Sequence, residues 1–421
     1  MGMRDALDVL QERPFRYQFL ASATSVLGDN LVPVALAFAV LDITGSASDL
    51  GLVLGARTGA LVVFMLVGGV WADRVPRQRL MMVSDLGRAA TQGTLGLLLI
   101  TGTAELWHFV VLEVLNGAAS AFFQPAVIGL TPRTVSPARL QQANALLSFS
   151  YSSAAIVGPA LAGVIVATLG SGWALAIDAM TFLISAMFLL KIRLPPSAQK
   201  VERKRFLTDL IGGWNEVRSR AWVWISILNF MIFQLLALPT VFVLGPFIAE
   251  RSLGGAGTWA AIVTAGGIGS LVGDVFALNA SPRRPLRASF LLGLLAIPML
   301  VTLGTEAPLW MLIAASVSWG LCMSFANTLW FTVLQERIPD TALSRVSSFD
   351  WMGSTVLRPI GFAVVGPIAA GIGPGTTLIG AAIVLTVVEL GTASLPQISK
   401  IQRLSTGKGP LDPSEPADQY R

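Results

Sequence analysis

Charge is scarce in this chain, because only 13% of its 421 residues are Asp, Glu, Lys or Arg, against about 25% in soluble domains. Hydrophobic residues make up 54%, and the mean hydropathy is +0.69. This composition excludes an ordinary soluble enzyme, and it excludes a disordered chain, which combines low hydrophobicity with high charge. A spanning helix takes about 20 apolar residues, so the sequence predicts an α-helical membrane protein with many spans.

Cysteine and histidine occur once each, as Cys322 and His108. Single residues of each type exclude a disulfide framework and a conventional Cys/His zinc site, and we expect no cofactor. They also leave no convincing nucleophile–base pair for an intramembrane hydrolase, so we do not expect an enzyme. The Gly-x-x-x-x-Gly-Lys-Ser/Thr loop that binds ATP phosphates is lacking too, which disfavours ATP-driven pumping by this chain alone.

Hydropathy, with breaks at clusters of charge, glycine and proline, predicts twelve spanning helices in two sets of six. They lie at 15–41, 49–72, 80–101, 107–130, 142–168, 173–194, 222–248, 258–279, 287–304, 309–332, 345–369 and 375–395. The predicted order is a cytoplasmic segment (1–14), a six-helix half (15–194), a central cytoplasmic loop (195–221), a second six-helix half (222–396) and a cytoplasmic tail (397–421).

The basic residues indicate the orientation of the chain in the membrane. With both termini in the cytoplasm, only Arg251 of the 29 Lys and Arg residues falls on a predicted outer loop, and Arg57, Arg88 and Arg358 fall within spans. All the others lie on the inner side, as the positive-inside rule requires. The net charge of +5 therefore reflects membrane orientation, and we expect no nucleic-acid partner.

Several features recur between the two sets of helices. The second span ends in glycine, aspartate and arginine between Gly68 and Arg79, and the eighth span does the same between Gly269 and Arg284. The fifth span carries Ser148-Phe149 followed by Gly158-Pro159, and the eleventh carries Ser348-Phe349 followed by Arg358-Pro359. A duplicated six-helix unit encloses a cavity between its halves at mid-depth.

The loop after the second span reads Gly68-Gly69-Val70-Trp71-Ala72-Asp73-Arg74-Val75-Pro76-Arg77-Gln78-Arg79. Small residues let two helices approach closely, and a carboxylate beside arginines can form a charge-assisted contact that breaks when the halves move. We therefore interpret Gly68, Gly69, Asp73, Arg74, Arg77 and Arg79 as gating residues. The segment resembles the signature of the major facilitator superfamily. That resemblance implies an all-α fold of twelve transmembrane helices in two pseudo-symmetric six-helix halves.

The fifth span carries Gly158, Pro159 and Gly163, and Pro159 removes a backbone hydrogen bond and bends the helix. This segment resembles the antiporter motif of drug:proton exporters, which implies proton-coupled export. Leu27-Gly28-Asp29-Asn30, the pair Asp85 and Arg88, and Phe122-Phe123-Gln124-Pro125-Ala126 resemble the branch with enterobactin exporters and macrolide efflux proteins. The resemblance implies a transporter of the bacterial inner membrane. A lysophospholipid transporter shares these features, so lipid movement stays open, whereas the short tails disfavour a non-transporting receptor.

Ionisable residues within spans are costly, at about 2.5 kcal/mol or more each, and each needs a reason. We interpret Asp29 and Glu113 as proton-coupling groups, and for Asp29 a static ion pair with Arg57 or a hydrogen-bonded contact between helices stays open as the alternative. Many drug:proton antiporters carry an arginine at the position of Glu113, so the role of that arginine does not transfer. Asp178 and Glu389 fall near predicted helix ends and are expected to reach water. Asp274 and Asp350 are candidates for a second gating contact.

The predicted substrate cavity combines aromatic and polar side chains from several spans. An apolar cavity with a few polar groups suits a small amphipathic compound, such as a drug, an antibiotic, a siderophore or another secondary metabolite. The candidate lining residues are Arg57, Phe122, Gln124, Asn229, Phe233, Gln234, Asn327 and Arg358. The expected partners are this small-molecule substrate, the proton as coupling ion and the lipid bilayer, and we expect the chain to act as a monomer.

Overall fold

The computed structural model describes residues 8–193 and 206–402; within these ranges the side chains of 66–74, 124, 206–212, 278–279, 340–341 and 344 are outside the description. The described residues form helices and no strand. Eleven helices among them are long and apolar enough to cross a membrane, judged by length and composition. Arg77–Ile100 has spanning length as well, at 24 residues, but it is less apolar because its buried face carries Asp85, Arg88 and Gln92. Together these helices form the twelve spans that the sequence predicts.

The spans are numbered here in chain order, and their ends fall within a few residues of the predicted ones. Spans 1 to 6 are Arg13–Thr44, Ala47–Arg74, Arg77–Ile100, Leu106–Thr134, Leu140–Leu169 and Ser171–Leu190. Spans 7 to 12 are Ala221–Leu253, Ala256–Asn279, Pro285–Gly304, Leu309–Arg337, the pair Asp340–Thr355 with Arg358–Ile372, and Pro374–Ser394. Shorter helices are Asp8–Gln11, Pro137–Arg139, Phe206–Ser219 and Pro396–Ser399.

Four spans are interrupted close to prolines. Span 1 consists of Arg13–Asp29 and Val32–Thr44, and Pro33 stands in the first turn of the second helix. Span 7 continues from Ala221–Pro239 through π-helical turns at Thr240–Leu244 and Ala249–Leu253, which flank Gly245–Ile248. Span 9 has a 3-10 turn at Leu294–Ala296 between Pro285–Gly293 and Ile297–Gly304, and span 11 is interrupted before Arg358. Proline lacks a backbone donor and clashes with the preceding turn, so each break occurs where the helix cannot continue regularly.

The packing of the spans repeats between the two halves. In the first half, span 1 contacts spans 5 and 6, span 2 contacts span 4, and span 3 contacts spans 4 and 6. In the second half, span 7 contacts spans 11 and 12, span 8 contacts span 10, and span 9 contacts spans 10 and 12. Adding six to each span number converts one set of contacts into the other, as expected for a duplicated six-helix unit.

The halves meet through two further helix pairs, span 2 with span 11 and span 5 with span 8. Glycine makes the first pair close: a Cβ atom added at Gly51 would lie 2.3 Å from the carbonyl oxygen of Phe362, and one at Gly366 would lie 2.4 Å from Cα of Ser48. Such small residues let helix backbones approach within a membrane. These contacts lie near the loops that join span 1 to span 2 and span 11 to span 12, so the halves are in contact at that end of the bundle.

The predicted central loop is described only in part. Residues 195–205, which include the basic run from Lys200 to Arg205, lie outside the described residues, as do residues 403–421 of the predicted tail. The rest of the loop contains the helix Phe206–Ser219. Its Trp214 ring lies 6.0 Å from the ring of Phe349 on span 11, so this helix packs on the second half.

Candidate functional site

Arg88 of span 3 is the centre of a buried ionic network in the first half. Its Nη1 atom lies 3.0 Å from Oδ2 of Asp29 on span 1, and its Nη2 atom donates to Asp85 on its own span. The guanidinium carbon lies 4.4 Å from the ring centre of Phe123 and 4.2 Å from that of Phe182, a favourable cation–π geometry. The side chain is only 2% exposed, so this cation is neutralised inside the protein.

Span 6 contributes a third carboxylate, that of Asp178, and the hydroxyl of Ser185 to this network. Asp85 is fully buried and accepts a hydrogen bond of 2.6 Å from Oγ of Ser185. Asp178 is also fully buried, and neither of its carboxylate oxygens has a hydrogen-bond partner among the described residues. Asp29 and Arg88 are close enough to act on Asp178 electrostatically. Two carboxylates therefore contact one guanidinium and a third lies near enough to interact with it electrostatically, which leaves a net negative charge if all three are ionised.

The expectation that Asp178 and Glu389 reach water is wrong, because they are 0% and 4% exposed. Asp178 lies about two turns inside span 6 and Glu389 more than a turn inside span 12, and neighbouring spans cover both. Glu389 accepts a hydrogen bond of 3.4 Å from Nδ2 of Asn229. A Cβ atom at Gly293 of span 9 would lie 2.7 Å from the Glu389 carboxyl carbon. Depth along the sequence did not reveal which helix face these acids occupy.

The alternative in which Asp29 pairs with Arg57 is also wrong, since Arg57 has another partner. Its Nη1 atom lies 3.4 Å from Oε2 of Glu113, whose side chain is 1% exposed. Gln92 donates a hydrogen bond of 3.1 Å to the other carboxylate oxygen of Glu113. Spans 2 and 4 can come this close because Gly117 has no side chain. A Cβ atom there would lie 2.1 Å from the Arg57 carbonyl oxygen. The two proton-coupling candidates thus belong to separate ion pairs.

Asp29 occupies the break in span 1, where it is the last residue of the first helix. The adjacent Asn30 donates a hydrogen bond of 2.8 Å from its side chain to the carbonyl oxygen of Val26, which closes the helix end. The Asp29 side chain is 32% exposed, in contrast to its partner Arg88. Asp29 is therefore the accessible member of the Arg88 network.

The predicted antiporter motif of span 5 lies against this break and against the other half. A Cβ atom at Gly158 would lie 2.4 Å from Cβ of Asn30, and one at Gly163 would lie 2.3 Å from Cβ of Ala260 on span 8. Pro159 and Asn30 both line a cavity of about 240 Å³. Span 5 thus connects the segment that carries Asp29 to a contact between the halves.

The predicted gating residues are described only in part. Gly68, Gly69, Asp73 and Arg74 belong to the side chains outside the description, so their contact stays a prediction. Arg77 donates to the carbonyl oxygen of Gly129 on span 4, and Arg79 is exposed. In the second half, Asp274 is exposed and accepts a hydrogen bond from Oγ of Ser324.

A cavity of about 310 Å³ lies in the second half, lined by residues of spans 7, 9, 10, 11 and 12. Four of the predicted substrate residues line it, namely Phe233, Gln234, Asn327 and Arg358. Three others have different surroundings: Arg57 pairs with Glu113, Phe122 packs beside spans 1, 3 and 6, and Asn229 donates to Glu389 and Thr392. The Gln124 side chain lies outside the description, so its place stays a prediction. Trp330 and Trp351 add aromatic surface to the lining.

The charged groups of this cavity are unequally matched. Asp350 accepts a hydrogen bond of 2.9 Å from Nε1 of Trp330, and Glu389 is held by Asn229. Arg358, the first residue of the second helix of span 11, has no hydrogen bond or ion pair within the described part of the chain, and its Nε atom is buried without a partner. The cavity therefore presents one unneutralised guanidinium.

Comparisons with known proteins agree with this architecture. A sequence model described as the Major Facilitator Superfamily matches residues 18–362. The chain belongs to the major facilitator superfamily. The enterobactin exporter EntS of Shigella boydii is 28% identical to it over 404 residues, which cover 91% of this chain and 94% of that protein. The EntS protein of Escherichia coli O139:H28 matches with the same identity and coverage.

Solved structures of other transporters share the fold of this superfamily member. A bacterial homologue of the human lysosomal transporter Spinster, in an inward-facing and unoccupied conformation, has a TM-score of 0.74 at 13% identity and covers 94% of this chain and 99% of that one. The nucleoside transporter NupG has a TM-score of 0.72 at 13% identity, and the match covers 90% of this chain and 98% of NupG. A bacterial homologue of the iron transporter ferroportin in an inward-facing state has a TM-score of 0.70 at 15% identity. That match covers 91% of this chain and 99% of the homologue. The superfamily chain is thus a multi-pass membrane transporter.

Sequence reasoning missed the centre of the ionic network, although a signal was present. Asp85 and Arg88 are three residues apart and so share one helix face, and Asp178 and Ser185 are seven apart and share a face of span 6. What the spacing does not state is that these two faces meet. The contact between spans 3 and 6 is a property of the packed bundle.

Proposed function

We propose that this transporter exports a small amphipathic compound by alternating access, and that proton entry drives the export. The observation that carries this proposal is the Arg88 network, in which Asp29 and Asp85 contact one guanidinium and Asp178 is buried nearby without a hydrogen-bond donor among the described residues. Export is supported by the similarity to proteins named enterobactin exporters. The proposed substrate class covers drugs, antibiotics, siderophores and other secondary metabolites.

Asp178 is the proton carrier in this proposal. A buried ionised carboxylate without a hydrogen-bond donor is strongly unfavourable, and neither oxygen of Asp178 has such a donor in the described residues. A bound proton removes the charge and with it the cost. Arg88 meanwhile neutralises Asp29 and Asp85, which accept its hydrogen bonds. The network in this conformation therefore holds one proton on Asp178.

Exchange of partners by Arg88 links proton movement to the substrate cycle. When Asp29 takes up a proton from water, it loses its attraction for Arg88, and the guanidinium can then stabilise the ionised form of Asp178. Asp178 then gives its proton to water that reaches it from the cytoplasmic side once the helices move, so that one proton is taken up at Asp29 and one is released inside. The charged groups that act on Asp178 electrostatically are Asp29, Arg88, Arg57 and Glu113, so the second ion pair also influences this exchange.

The contacts between the halves indicate where the bundle would open and close during the proposed cycle. The halves touch at the end that carries the loops between spans 1 and 2 and between spans 11 and 12. With both termini in the cytoplasm, as the basic residues predict, that end faces outward, so the described contacts between the halves lie on the outer side. Span 5, which contacts both Asn30 and Ala260, would transmit closure to the Asp29 segment.

A transport assay with isosteric variants tests the proposal. A panel of antibiotics and dyes is screened for reduced accumulation in cells that produce the protein, with and without a proton uncoupler. A compound that is exported is then measured in proteoliposomes with an imposed pH gradient. We expect Asp178→Asn to lower gradient-driven transport about tenfold or more, while exchange of labelled for unlabelled compound without a gradient continues.

Asp42→Asn is the matched control, because Asp42 is an exposed aspartate at the far end of span 1. It should transport like the unchanged protein. Undiminished gradient-driven transport by both Asp29→Asn and Asp178→Asn would refute proton coupling through this network.

A further inference from the structure

We infer that Arg358 binds an anionic group of the substrate, so that the transported compound is an organic acid with an aromatic or compact apolar body. This inference rests on the proposed transport function and adds the chemical class of its substrate. It starts from a contrast among Arg57, Arg88 and Arg358, the three arginines that lie within the predicted spans. Arg57 and Arg88 have carboxylate partners at 3.4 and 3.0 Å, whereas Arg358 has none within 4.0 Å among the described residues.

An unpaired arginine within a span needs compensation, because a charged side chain at mid-membrane is costly. Neither acid of the same cavity provides it. Asp350 accepts its hydrogen bond from the Trp330 indole, Glu389 accepts one from Asn229, and both are too far from Arg358 to form an ion pair. A ligand that brings its own negative charge supplies the missing partner. Guanidinium binds carboxylate, sulfonate and phosphate oxygens in a bidentate manner.

The other lining residues indicate the size and polarity of the rest of the ligand. Phe230, Phe233, Trp330 and Trp351 line it beside Arg358, and the Phe230 and Trp330 rings meet edge to face at a centroid distance of 5.3 Å. Aromatic walls of this kind bind flat apolar groups. The volume of about 310 Å³ is at the small end of the range for drug-sized pockets, about 300–1,000 Å³. A compact ring compound therefore fits better than a lipid with a long acyl chain.

Three naphthalene compounds with the same ring and different charge provide the test. Full-length protein in lipid nanodiscs is titrated calorimetrically, without a pH gradient, with naphthalene-2-sulfonate, naphthalene-2-methanol and 2-naphthylmethylammonium. We expect the sulfonate to bind about tenfold or more tightly than the alcohol, and the ammonium compound to bind least. Arg358→Gln should remove the difference between sulfonate and alcohol, and Arg358→Lys, which keeps the charge, should retain part of it.

Arg251→Gln is the control, because Arg251 lies at the end of span 7 and does not line the cavity. Its guanidinium carbon lies 4.1 Å from the ring centre of Phe247. It should keep the full preference for the sulfonate. A second arm compares lauroyl lysophosphatidate with monolauroylglycerol: Arg358-dependent displacement of the sulfonate by the lysophosphatidate alone would identify the anion as a lipid headgroup, and failure to displace it would identify a soluble acid.

The inference is overturned if the sulfonate binds the unchanged protein no more tightly than the alcohol, including the case in which neither binds. It is equally overturned if Arg358→Gln keeps the preference. These measurements use no gradient, so they are independent of coupling. Arg358-dependent binding together with gradient-driven transport that survives Asp178→Asn and Asp29→Asn would retain the anion site and reject the proton mechanism.

Discussion

The two halves of the bundle pack their spans in the same way but place their charges differently. In the first half, span 3 carries Asp85 and Arg88 on its buried face, and Arg57 and Arg88 each form an ion pair with a carboxylate. Its counterpart in the second half, span 9, buries Phe290, Met299 and Leu300 instead. Arg358 of the second half lines a cavity with Asp350 and Glu389 and has no ion-pair partner among the described residues. A paired charge stabilises the fold, whereas an unpaired one is available to a ligand.

The largest expected effect comes from removing the central arginine of the first half. Arg88→Gln leaves Asp85 buried without a cation, and breaking a buried ion pair costs about 3–5 kcal/mol. We expect a clear drop in the unfolding temperature, measured by tryptophan fluorescence in detergent. We also expect complete loss of gradient-driven transport. Arg358→Gln, the same substitution in the second half, should leave the unfolding temperature unchanged or raise it, because no partner is lost.

A double variant separates stability from transport in this comparison. Arg88→Gln with Asp85→Asn removes both charges, so much of the stability should return while transport stays absent. An unfolding temperature for Arg88→Gln equal to that of the unchanged protein would show that the network does not hold spans 1, 3 and 6 together.

A smaller effect is expected at the contact between the halves. A Cβ atom at Gly366 would lie 2.4 Å from the backbone of Ser48, whereas one at Gly371 of the same helix would meet nothing within 4 Å. Overpacking costs about 1–3 kcal/mol, so Gly366→Ala should disfavour this closed contact and slow transport by about tenfold. Gly371→Ala should change the transport rate less than twofold. Equal rates for the two variants would mean that span 2 and span 11 need not approach this closely.

The smallest expected effect concerns the predicted gating segments. Matched variants there test whether the two halves also differ in their gating contacts. Asp73→Asn should reduce transport several-fold while insertion and expression stay normal, since the predicted contact with arginines is lost. Asp274→Asn, at the corresponding place in the second half, should have less effect because its partner Ser324 is neutral. Efflux rates normalised to the amount of protein in the membrane measure both. Full transport by Asp73→Asn would contradict the gating role.

The sequence predicted the spans well because burial in lipid acts on the average of about 20 residues, and an average tolerates errors at single positions. It also located Asp29, Glu113 and Arg358 within spans. It assigned Asp178 and Glu389 to water, however, because a position one or two turns from a helix end can face either solvent or a neighbouring span. Partner choice failed for the same reason: Asp29 and Arg57 lie on adjacent spans, but the faces of spans 1 and 3 are the ones that meet.

What the sequence alone determined is the number of spans, their duplication in two halves, the predicted orientation and the superfamily, since each follows from hydropathy, charge bias or a contiguous motif. Only the tertiary structure decided that Arg88 joins Asp29 and Asp85. It also decided that, within the described ranges, Asp178 lacks a hydrogen-bond partner and Arg358 lines a cavity unpaired. These are contacts between helices distant in sequence, and they depend on the rotation of each helix about its own axis. Local sequence constrains that rotation weakly, whereas close packing at residues such as Gly117 and Gly158 fixes it.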